Sequence, residues 1–295
     1  MNAIETNALT KYYGKARGIV DVSLTVAEAD FFGFIGPNGA GKSTTIRTLL
    51  GLISPTSGEA KVLGRDVVSE HIDVLRDVGY LPSETSFYHG MKVGDVLALS
   101  AKLRKKDCAA EAKRLCERLE LDAGRKVDEL SFGNRKKVGI VCAMQHEPRL
   151  YVLDEPTSGL DPLMQQEFYA LLRERNERGA TVFLSSHVLS EVSRYCRRAA
   201  VIREGRIVAA DSVENLGHTG IKKVVLRGVA DAGALSAIEN ARELAVADGT
   251  ARFLYAGDAK KLVAALAALD FDDVTVTDPE LDEVFMHFYG KEAGV

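Results

Sequence analysis

The sequence predicts an α/β fold with a mostly parallel sheet, and three apolar runs carry that prediction. Strand-like and helical patterns alternate over residues 1–210. FFGFI, at residues 31–35, is a short apolar run that a glycine-rich turn closes, as expected for a buried strand. LYVLD at 150–154 and TVFLSS at 181–186 are two further runs of the same kind, with a helical stretch between them. Strands separated by helices favour a parallel sheet.

The helices of this region are predicted from periodicity and capping signals. One helix is expected over about 43–50, directly after the glycine-rich turn. The stretch 107–121 is amphipathic, with apolar residues at helical spacing. Asp161 and Pro162 are typical of an N-cap and a first helical position, so a third helix is expected to begin there and to end near Gly179.

The alternating pattern ends in a hairpin and a boundary. Residues 199–210, AAVIREGRIVAA, indicate a hairpin that turns at Glu204 and Gly205. We therefore expect an antiparallel portion there, and another near the start of the chain. The segment 210–220 is polar and contains glycine, which predicts a first domain over 1–215 and an accessory domain over 221–295.

The second domain is predicted to be a small ferredoxin-like α+β module. Its elements follow the order β-α-β-β-α-β, which suits that fold. They are expected at 222–227, 231–241, two strands turning at Asp248 and Gly249, 258–269 and 273–277. A final helix from about Pro279 would bury Leu281, Val284, Phe285 and Phe288 at helical spacing.

Composition narrows the function classes. The chain has 295 residues, with 38 Lys and Arg against 42 Asp and Glu, and so a formal net charge of -4. A near-neutral balance does not suggest a nucleic-acid footprint, so no nucleic-acid partner is expected. No run approaches the roughly 18 apolar residues of a membrane span, and the first residues do not form a signal peptide. We expect a cytoplasmic protein.

The first chemical motif is a phosphate-binding loop. Its residues match G-x-x-x-x-G-K-[ST] between a predicted strand and a predicted helix: Gly36, Pro37, Asn38, Gly39, Ala40, Gly41, Lys42 and Ser43. Glycines let backbone N–H groups point at a phosphate, and the helix N-terminus adds its dipole. Lys42 would supply a point charge and the Ser43 hydroxyl would ligate Mg²⁺. The alternative is a glycine-rich turn that merely joins the strand to the helix. The full motif rarely arises by chance, and its position between strand and helix favours the phosphate loop.

A pair of acids follows the strand at 150–154. Ligands of open α/β sheets bind at the carboxyl ends of the strands, where Asp154 and Glu155 lie. Alone, such a pair more often begins a solvated loop. Together with the phosphate loop, it predicts that Asp154 holds Mg²⁺ through water and that Glu155 acts as a general base on an attacking water.

These motifs, with three others in order, resemble the ATP-binding cassette (ABC) ATPases. The segments that look like the Walker A, signature, Walker B, D-loop and switch motifs of that family are 36–44 (ending at Thr44), LSFGN at 130–134, LYVLDEP at 150–156, SGLD at 158–161 and SSH at 185–187. The resemblance covers about residues 1–215. It implies ATP and Mg²⁺ as cofactors and an α-helical subdomain over about 84–145. Tyr13 matches the aromatic position that stacks on adenine, and His187 matches the switch histidine that contacts the γ-phosphate.

The resemblance also implies a dimer. Ser131 begins a predicted helix, and with Gly133 it would hold the γ-phosphate bound to a second subunit. Asp161, besides capping its helix, would face that subunit. The partner would be a second copy of this chain or a close paralogue, with two ATP molecules held between the two chains. The cations at 135–137 suit phosphate binding less well than a solvated helix face.

Two positions depart from the family pattern. In the signature, Phe132 replaces a glycine, although Ser131 and Gly133 remain. After GYLP at 79–82, the family usually has a glutamine that ligates Mg²⁺, and here Ser83 and Glu84 follow. Ser83 is assigned to the metal by its position after GYLP only, so either of the two side chains could approach the metal.

The function predicted from this resemblance is that of an ATP-hydrolysing subunit of an ABC-2-type exporter. It would drive a separate integral-membrane permease from the cytoplasmic face of the membrane. The alternative is a soluble ABC ATPase of the iron–sulfur assembly type, which is not expected to carry the extra C-terminal domain. A nucleotide kinase or GTPase would share the phosphate loop but has no place for LSFGN and SGLD.

Overall fold

The structure, a computed structural model, describes residues 1–217, 221–229, 232–235 and 238–277. The chain forms two compact units, which divide between Asp211 and Ser212. The domain limits 1–215 and 221–295, with a helical subdomain at 84–145, stay a prediction from the sequence. In the part of the chain described, no helix has both the length and the apolar character needed to cross a bilayer.

The strands of the first unit form two sheets. In chain order they are β1 (Asn2–Tyr13), β2 (Ala16–Ala27), β3 (Phe31–Ile35), β4 (Ser57–Val62), β5 (Arg65–Asp66), β6 (Val78–Leu81), β7 (Leu150–Asp154), β8 (Thr181–Ser186), β9 (Arg198–Arg203) and β10 (Arg206–Ser212). The larger sheet has the order β10-β9-β3-β8-β7-β6. Strands β3, β6, β7, β8 and β9 pair in parallel, which confirms the predicted mostly parallel sheet.

The antiparallel portions also lie where the sequence predicts them. The smaller sheet has the order β2-β1-β4-β5, and all of its pairs are antiparallel. Strands β9 and β10 are joined by Glu204 and Gly205, with φ of 48° and 73°. Two successive positive φ angles are what a two-residue type I′ hairpin turn requires.

The helices of the first unit occupy the connections between strands. They are α1 (Lys42–Leu49), α2 (His71–Asp77), α3 (Val93–Leu103), α4 (Ala109–Arg118), α5 (Phe132–Met144), α6 (Pro162–Glu177) and α7 (Leu189–Tyr195). Asp161 caps α6 as predicted, and its Oδ1 accepts hydrogen bonds from the Leu163 and Met164 N–H groups at 3.1 and 3.0 Å. Helix α4 begins and ends inside the predicted range 107–121.

One apolar core supports both sheets. Strand β3 is buried along its whole length, and the Phe32 and Phe183 rings stack with centroids 6.0 Å apart. Ile4 of the antiparallel sheet belongs to the same buried cluster as Phe34 and Val152 of the parallel sheet. A strand that is apolar on both faces is typical of a parallel sheet covered by helices. This packing fixes where β3 and β7 end, and hence where the polar residues that follow them lie.

The second unit has its own sheet and core. Its described elements are α8 (Val213–Gly217), β11 (Ile221–Arg227), α9 (Ala232–Leu235), β12 (Ala241–Ala247), β13 (Thr250–Ala256), α10 (Ala259–Ala267) and β14 (Asp273–Thr277). The sheet order is β12-β13-β11-β14, with antiparallel pairs throughout. Val224, Phe253 and Leu262 are buried in its core.

Two predictions for this unit need comment. The helix expected over 231–241 is described only as the single turn α9 (Ala232–Leu235). The helix expected from Pro279, with Leu281, Val284, Phe285 and Phe288, lies outside the described residues. The ferredoxin-like assignment therefore stays a prediction, supported by the order of the elements between Ile221 and Thr277.

Candidate functional site

Several of the motif residues follow parallel strands and so meet at one edge of the larger sheet. Gly36 follows β3, Pro82 follows β6, Glu155 follows β7 and His187 follows β8. Because these strands run in the same direction, their carboxyl ends share an edge, which is where open α/β sheets bind ligands. The fold thus brings together segments that are more than 100 residues apart in the sequence.

The loop from Gly36 to Gly41 is packed too closely for side chains at its two ends. A Cβ on Gly36 would lie 2.5 Å from the Ile202 carbonyl oxygen, and one on Gly41 would lie 2.9 Å from a methyl of Ile19. Gly41 also has φ of 111°, which favours glycine. The loop leads into α1, whose first-turn N–H groups have no partner within the helix and can bind an anion.

The middle of the loop is exposed, and the residue that follows it, Ala40, is anchored by a hydrogen bond. Pro37, Asn38 and Gly39 form the exposed tip, with φ of 79° at Gly39. Ala40 is buried, and its carbonyl accepts a hydrogen bond from the Gly205 N–H at 2.8 Å. The tip is therefore accessible, while the hairpin between β9 and β10 holds its base.

Lys42 is buried against the loop that it follows. Its side chain is 6% exposed, and Nζ donates to the carbonyls of Gly36 at 2.7 Å and Pro37 at 3.3 Å. Nζ also lies 3.2 Å from Glu155 Oε1, which makes an ion pair across the sheet edge. A buried ammonium is stable only with such partners. A phosphate that replaced Glu155 as the partner of Lys42 would find a positive charge already in place.

Glu155 has an unusual backbone and lies against the side chains of Lys42 and His187. Its φ is 50°, which is uncommon for a residue other than glycine, and its N–H donates to the Ser185 carbonyl at 3.0 Å. Oε2 lies 2.6 Å from His187 Nδ1, while Oε1 is buried and has Lys42 as an ion-pair partner but no hydrogen bond. Glu155 therefore retains an acceptor atom for a further group.

Asp154 and Ser43 supply oxygen atoms that suit Mg²⁺ beside a phosphate. Asp154 is 1% exposed, and its Oδ1 accepts a hydrogen bond from Ser185 Oγ at 3.1 Å, which fixes the carboxylate. Ser43 lies in the first turn of α1. Among the residues described, no cluster of three or more His, Cys, Asp or Glu side chains could hold a metal. Mg²⁺ commonly uses one or two carboxylates together with substrate phosphates, so this donor set fits a metal that arrives with its ligand.

Tyr13 lies beside the same helix. A Cβ placed on Gly18 would be 3.1 Å from Tyr13 Cε2 and 3.0 Å from Thr44 Cγ2, so Gly18 lets the ring and the first turn of α1 approach each other. The Tyr13 side chain is 46% exposed. Part of the ring is therefore open to a planar ligand next to the loop.

The signature and D-loop segments contact each other within one chain. Ser131 is the N-cap of α5, and its Oγ accepts from the Asn134 N–H at 3.3 Å. The Phe132 ring packs on Gly159, and a Cβ on Gly133 would lie 2.5 Å from the Gly159 carbonyl oxygen. Phe132, which replaces a family glycine, is 46% exposed. The contact of Ser131, Gly133 and Asp161 with a nucleotide on a second chain stays a prediction.

The expected solvated face at 135–137 is wrong for two of its three residues. Lys136 is completely buried and Lys137 is 8% exposed. Lys136 Nζ donates to the Pro82 and Ser83 carbonyls at 3.0 and 2.9 Å. Burial lowers the pKa of Lys136 to about 8, while the negative charges of Asp154 and Glu155 act in the opposite direction. Sequence analysis missed this residue because three consecutive cations are typical of a solvated surface.

Ser83 contributes its backbone to this contact, and its side chain is half-buried. The Glu84 side chain is exposed. The approach of Ser83 to a metal stays a prediction, with Glu84 as the alternative. The contact with Lys136 gives the segment after β6 a cationic neighbour that the family motif does not include.

Comparisons with known proteins identify the family of this chain. The family model of ABC transporters matches residues 19–158. The chain is 36% identical over 209 residues to the bacitracin transport ATP-binding protein BcrA of Bacillus licheniformis, which covers 70% of this chain and 68% of that protein. It is 33% identical to the daunorubicin resistance ATP-binding protein DrrA3 of Streptomyces coeruleorubidus, over 99% of this chain and 98% of that protein. The Nod factor export ATP-binding protein I of Rhizobium meliloti is 32% identical, over 98% and 89% of the two chains.

Solved structures are similar over the first unit. The ATP-binding subunit of an ABC transporter superposes with a TM-score of 0.69 and 30% identity, over 72% of this chain and 91% of that one. A dimeric ATP-binding cassette bound to ADP and Pi has a TM-score of 0.63 and 24% identity, over 71% and 98% of the two chains, and at that identity it supports the fold alone.

Proposed function

The chain belongs to the ABC transporter family as an ATP-binding subunit of the exporter type, and we propose that it hydrolyses Mg-ATP to drive a separate membrane permease. The observation that carries the ATPase proposal is the contact of Lys42 and His187 with the two oxygens of Glu155, at 3.2 and 2.6 Å. A cation for phosphate, a carboxylate that can act as a base and an imidazole thus meet beside a glycine-rich loop.

The loop and Lys42 would bind the phosphates. The N–H groups at the start of α1 would donate to a phosphate, and Lys42 would add a positive charge. Lys42 would leave the Gly36 carbonyl and Glu155 Oε1, because a phosphate oxygen is a stronger partner for an ammonium than a carbonyl. When bound, Mg-ATP supplies the γ-phosphoryl group and a metal that neutralises part of its charge. Ser43 and Asp154 would hold that metal.

Glu155 would then act as the general base. Once Lys42 has moved to the phosphate, Oε1 of Glu155 can accept a proton from an attacking water. His187 Nδ1 keeps the carboxylate oriented through Oε2, and 55% of the His187 side chain remains exposed for contact with the γ-phosphate. Tyr13 would stack on the adenine, since its ring lies beside Thr44 and is half exposed.

The active unit would be a dimer. Ser131 and Gly133 at the start of α5 would contact the γ-phosphate bound to the other chain, and Asp161 would face that chain. The helix N-terminus and the Ser131 hydroxyl support this role, because both favour an anion. The second chain would be another copy of this one or a close paralogue.

The permease is proposed from the names of the relatives. Bacitracin transport, daunorubicin resistance and Nod factor export are stated of those proteins, and we extend to this chain only the class of work they share. On this proposal, the chain lies at the cytoplasmic face of the membrane and is bound to a separate integral-membrane protein.

A pull-down tests the partner and the ATPase together. Tagged Glu155→Gln would be purified with Mg-ATP in mild detergent, with Lys42→Ala as the control that binds nucleotide poorly. Near-stoichiometric recovery of a polytopic membrane protein, with ATP hydrolysis by the wild-type complex, would support the proposal. Recovery of soluble partners alone would contradict it and would favour an assembly ATPase.

A further inference from the structure

We propose that Lys136 is a positioning residue for ATP hydrolysis, which ties the helix that begins at Ser131 to the backbone of Pro82 and Ser83 at the edge of the metal site. The inference rests on the proposed ATPase function. It assigns a task to a buried cation that none of the recognised motifs includes.

The contact itself is specific. Lys136 is fully buried, and its Nζ donates to two successive carbonyls at 3.0 and 2.9 Å. Those carbonyls belong to the first two residues after β6 ends at Leu81. Two carbonyls occupy two of the three donors of an ammonium, so the geometry fixes both the lysine and the turn of the chain.

Close packing makes the helix and this segment a single rigid element. A Cβ on Gly139 would lie 2.6 Å from Thr85 Cγ2 and 2.9 Å from Leu81 Cδ1. A Cβ on Gly79 would lie 2.2 Å from the Ala143 carbonyl oxygen. Without side chains at these two glycines, α5 lies directly against β6 and against the segment that follows it. A displacement of α5 is therefore transmitted to Pro82 and Ser83 rather than absorbed between them.

The position of Lys136 connects two parts of the proposed mechanism. It lies five residues after Ser131 in the same helix, which is about 7.5 Å along the axis. Its charge also interacts with Asp154 and Glu155. The lysine thus links the residues that would contact the partner's nucleotide to the acids that would hold the metal and the attacking water. Ser83 is also where the sequence lacks the glutamine of related chains, so a cation adjoins the site of that departure.

The test compares Lys136→Met with Lys136→Arg, which keeps several N–H donors and the charge, and with Lys137→Met as the neighbouring control. Hydrogen exchange of the backbone amides of β6 and α5, which are bonded in the sheet and in the helix, would be measured without nucleotide. The values of kcat, KM for ATP and the Mg²⁺ concentration for half-maximal rate would be measured with it. For Lys136→Met we expect exchange to rise about tenfold. We expect kcat to fall about tenfold or more, with KM for ATP changed by less than about threefold. The half-maximal Mg²⁺ concentration should rise. Lys136→Arg should restore both exchange and kcat.

The outcomes separate this inference from the proposed function. Wild-type exchange and kcat in Lys136→Met would overturn the role of Lys136 and leave the ATPase intact. Altered exchange with unchanged kcat and Mg²⁺ dependence would show a purely structural contact, and would also overturn it. A wild-type chain that does not hydrolyse ATP would refute the proposed function itself. If Lys136→Met does not fold, Lys136→Gln takes its place, with the same readouts.

Discussion

Two buried lysines of this protein each donate to two successive carbonyls after a strand, but their proposed roles differ. Lys42 Nζ donates to the carbonyls of Gly36 and Pro37, just beyond β3. Lys136 Nζ donates to the carbonyls of Pro82 and Ser83, just beyond β6 of the same sheet. The difference is that Lys42 also forms an ion pair with Glu155 at 3.2 Å. A ligand anion can replace the Glu155 carboxylate beside Lys42. Among the residues described, Lys136 has no ion-pair partner and donates to neutral carbonyls.

The largest expected effect comes from removing the negative charge of Glu155, the ion-pair partner of Lys42. Glu155→Gln keeps the shape of the side chain but cannot act as a base. We expect kcat to fall by about 10² to 10⁴, the range that general-base catalysis contributes, while Mg-ATP binding is retained and a closed dimer accumulates. Steady-state hydrolysis and equilibrium nucleotide binding on the same preparation measure this.

Glu177→Gln, a change near the end of α6, is the matched control and should hydrolyse ATP at the wild-type rate. Hydrolysis by Glu155→Gln at that same rate would show that the general-base assignment is wrong.

Lys42→Met tests the lysine that pairs with Glu155. A hydrogen bond from a charged donor contributes about 1.5–3 kcal/mol, so Mg-ATP affinity should fall by roughly 10- to 100-fold. Lys61→Met, at an exposed position of β4, serves as the control. Isothermal titration gives both affinities. Unchanged affinity in Lys42→Met would refute the phosphate-binding role of the loop. A loss of affinity in Lys136→Met as large as that in Lys42→Met would remove the distinction between the two lysines.

A substitution of His146 tests whether the chain just after the C-terminal end of α5 is held against β6. Its Nε2 accepts from Arg104 Nε at 3.1 Å and lies 3.3 Å from the Val78 carbonyl oxygen, at the start of β6. Burial, with the charge of Arg104, lowers the pKa of His146 to about 3. Between pH 6.5 and 3 the unfolded chain therefore binds a proton at His146 that the folded chain does not, and the free energy of unfolding falls as the pH falls.

The contribution of His146 should amount to about 2 kcal/mol between pH 7 and pH 5. Urea unfolding of the wild type and of His146→Gln at both pH values isolates it from the carboxylates, which titrate in both proteins. A variant with the same loss of stability as the wild type would contradict a buried, neutral His146.

Tyr13→Ala has the smallest expected effect, because its ring is half exposed and touches only one edge of the proposed ligand. Aromatic stacking on a base contributes about 1–3 kcal/mol, and the lower end predicts a rise of about fivefold in KM for ATP. Tyr12, the preceding residue of β1 and 40% exposed, provides the control Tyr12→Ala. An equal effect of the two substitutions would argue against stacking by Tyr13.

The sequence predicted Lys42 but not Lys136, and the reason is physical. The glycine-rich loop needs small residues at fixed spacing. Because these residues are neighbours in the sequence, the phosphate-binding role of Lys42 could be predicted without a structure. Lys136 owes its environment to β6 and residues 82–85, which are about 50 positions away in the sequence. Its spacing of three and four from the buried Gly139 and Ile140 was the only local signal, and two flanking cations concealed it.

The same contrast holds for the fold. The parallel sheet, the hairpin at Glu204 and Gly205 and the cap at Asp161 were predicted because each rests on a local pattern. The hydrogen bond between Ser185 and Asp154 and the packing of Phe132 on Gly159 were not, since each joins segments that only the sheet and helix packing bring together. The positive φ of Glu155 was not predicted either, because glutamate is not a residue type that favours this conformation.

A crystal structure of the wild-type chain with Mg²⁺ and a non-hydrolysable ATP analogue tests the central claim most directly. We predict that Lys42 Nζ will lie within hydrogen-bonding distance of phosphate oxygens and will have left Glu155, while Lys136 Nζ still binds the Pro82 and Ser83 carbonyls. Phosphates bound away from the loop at 36–43, or a Lys42 that still pairs with Glu155 beside them, would contradict the proposed function.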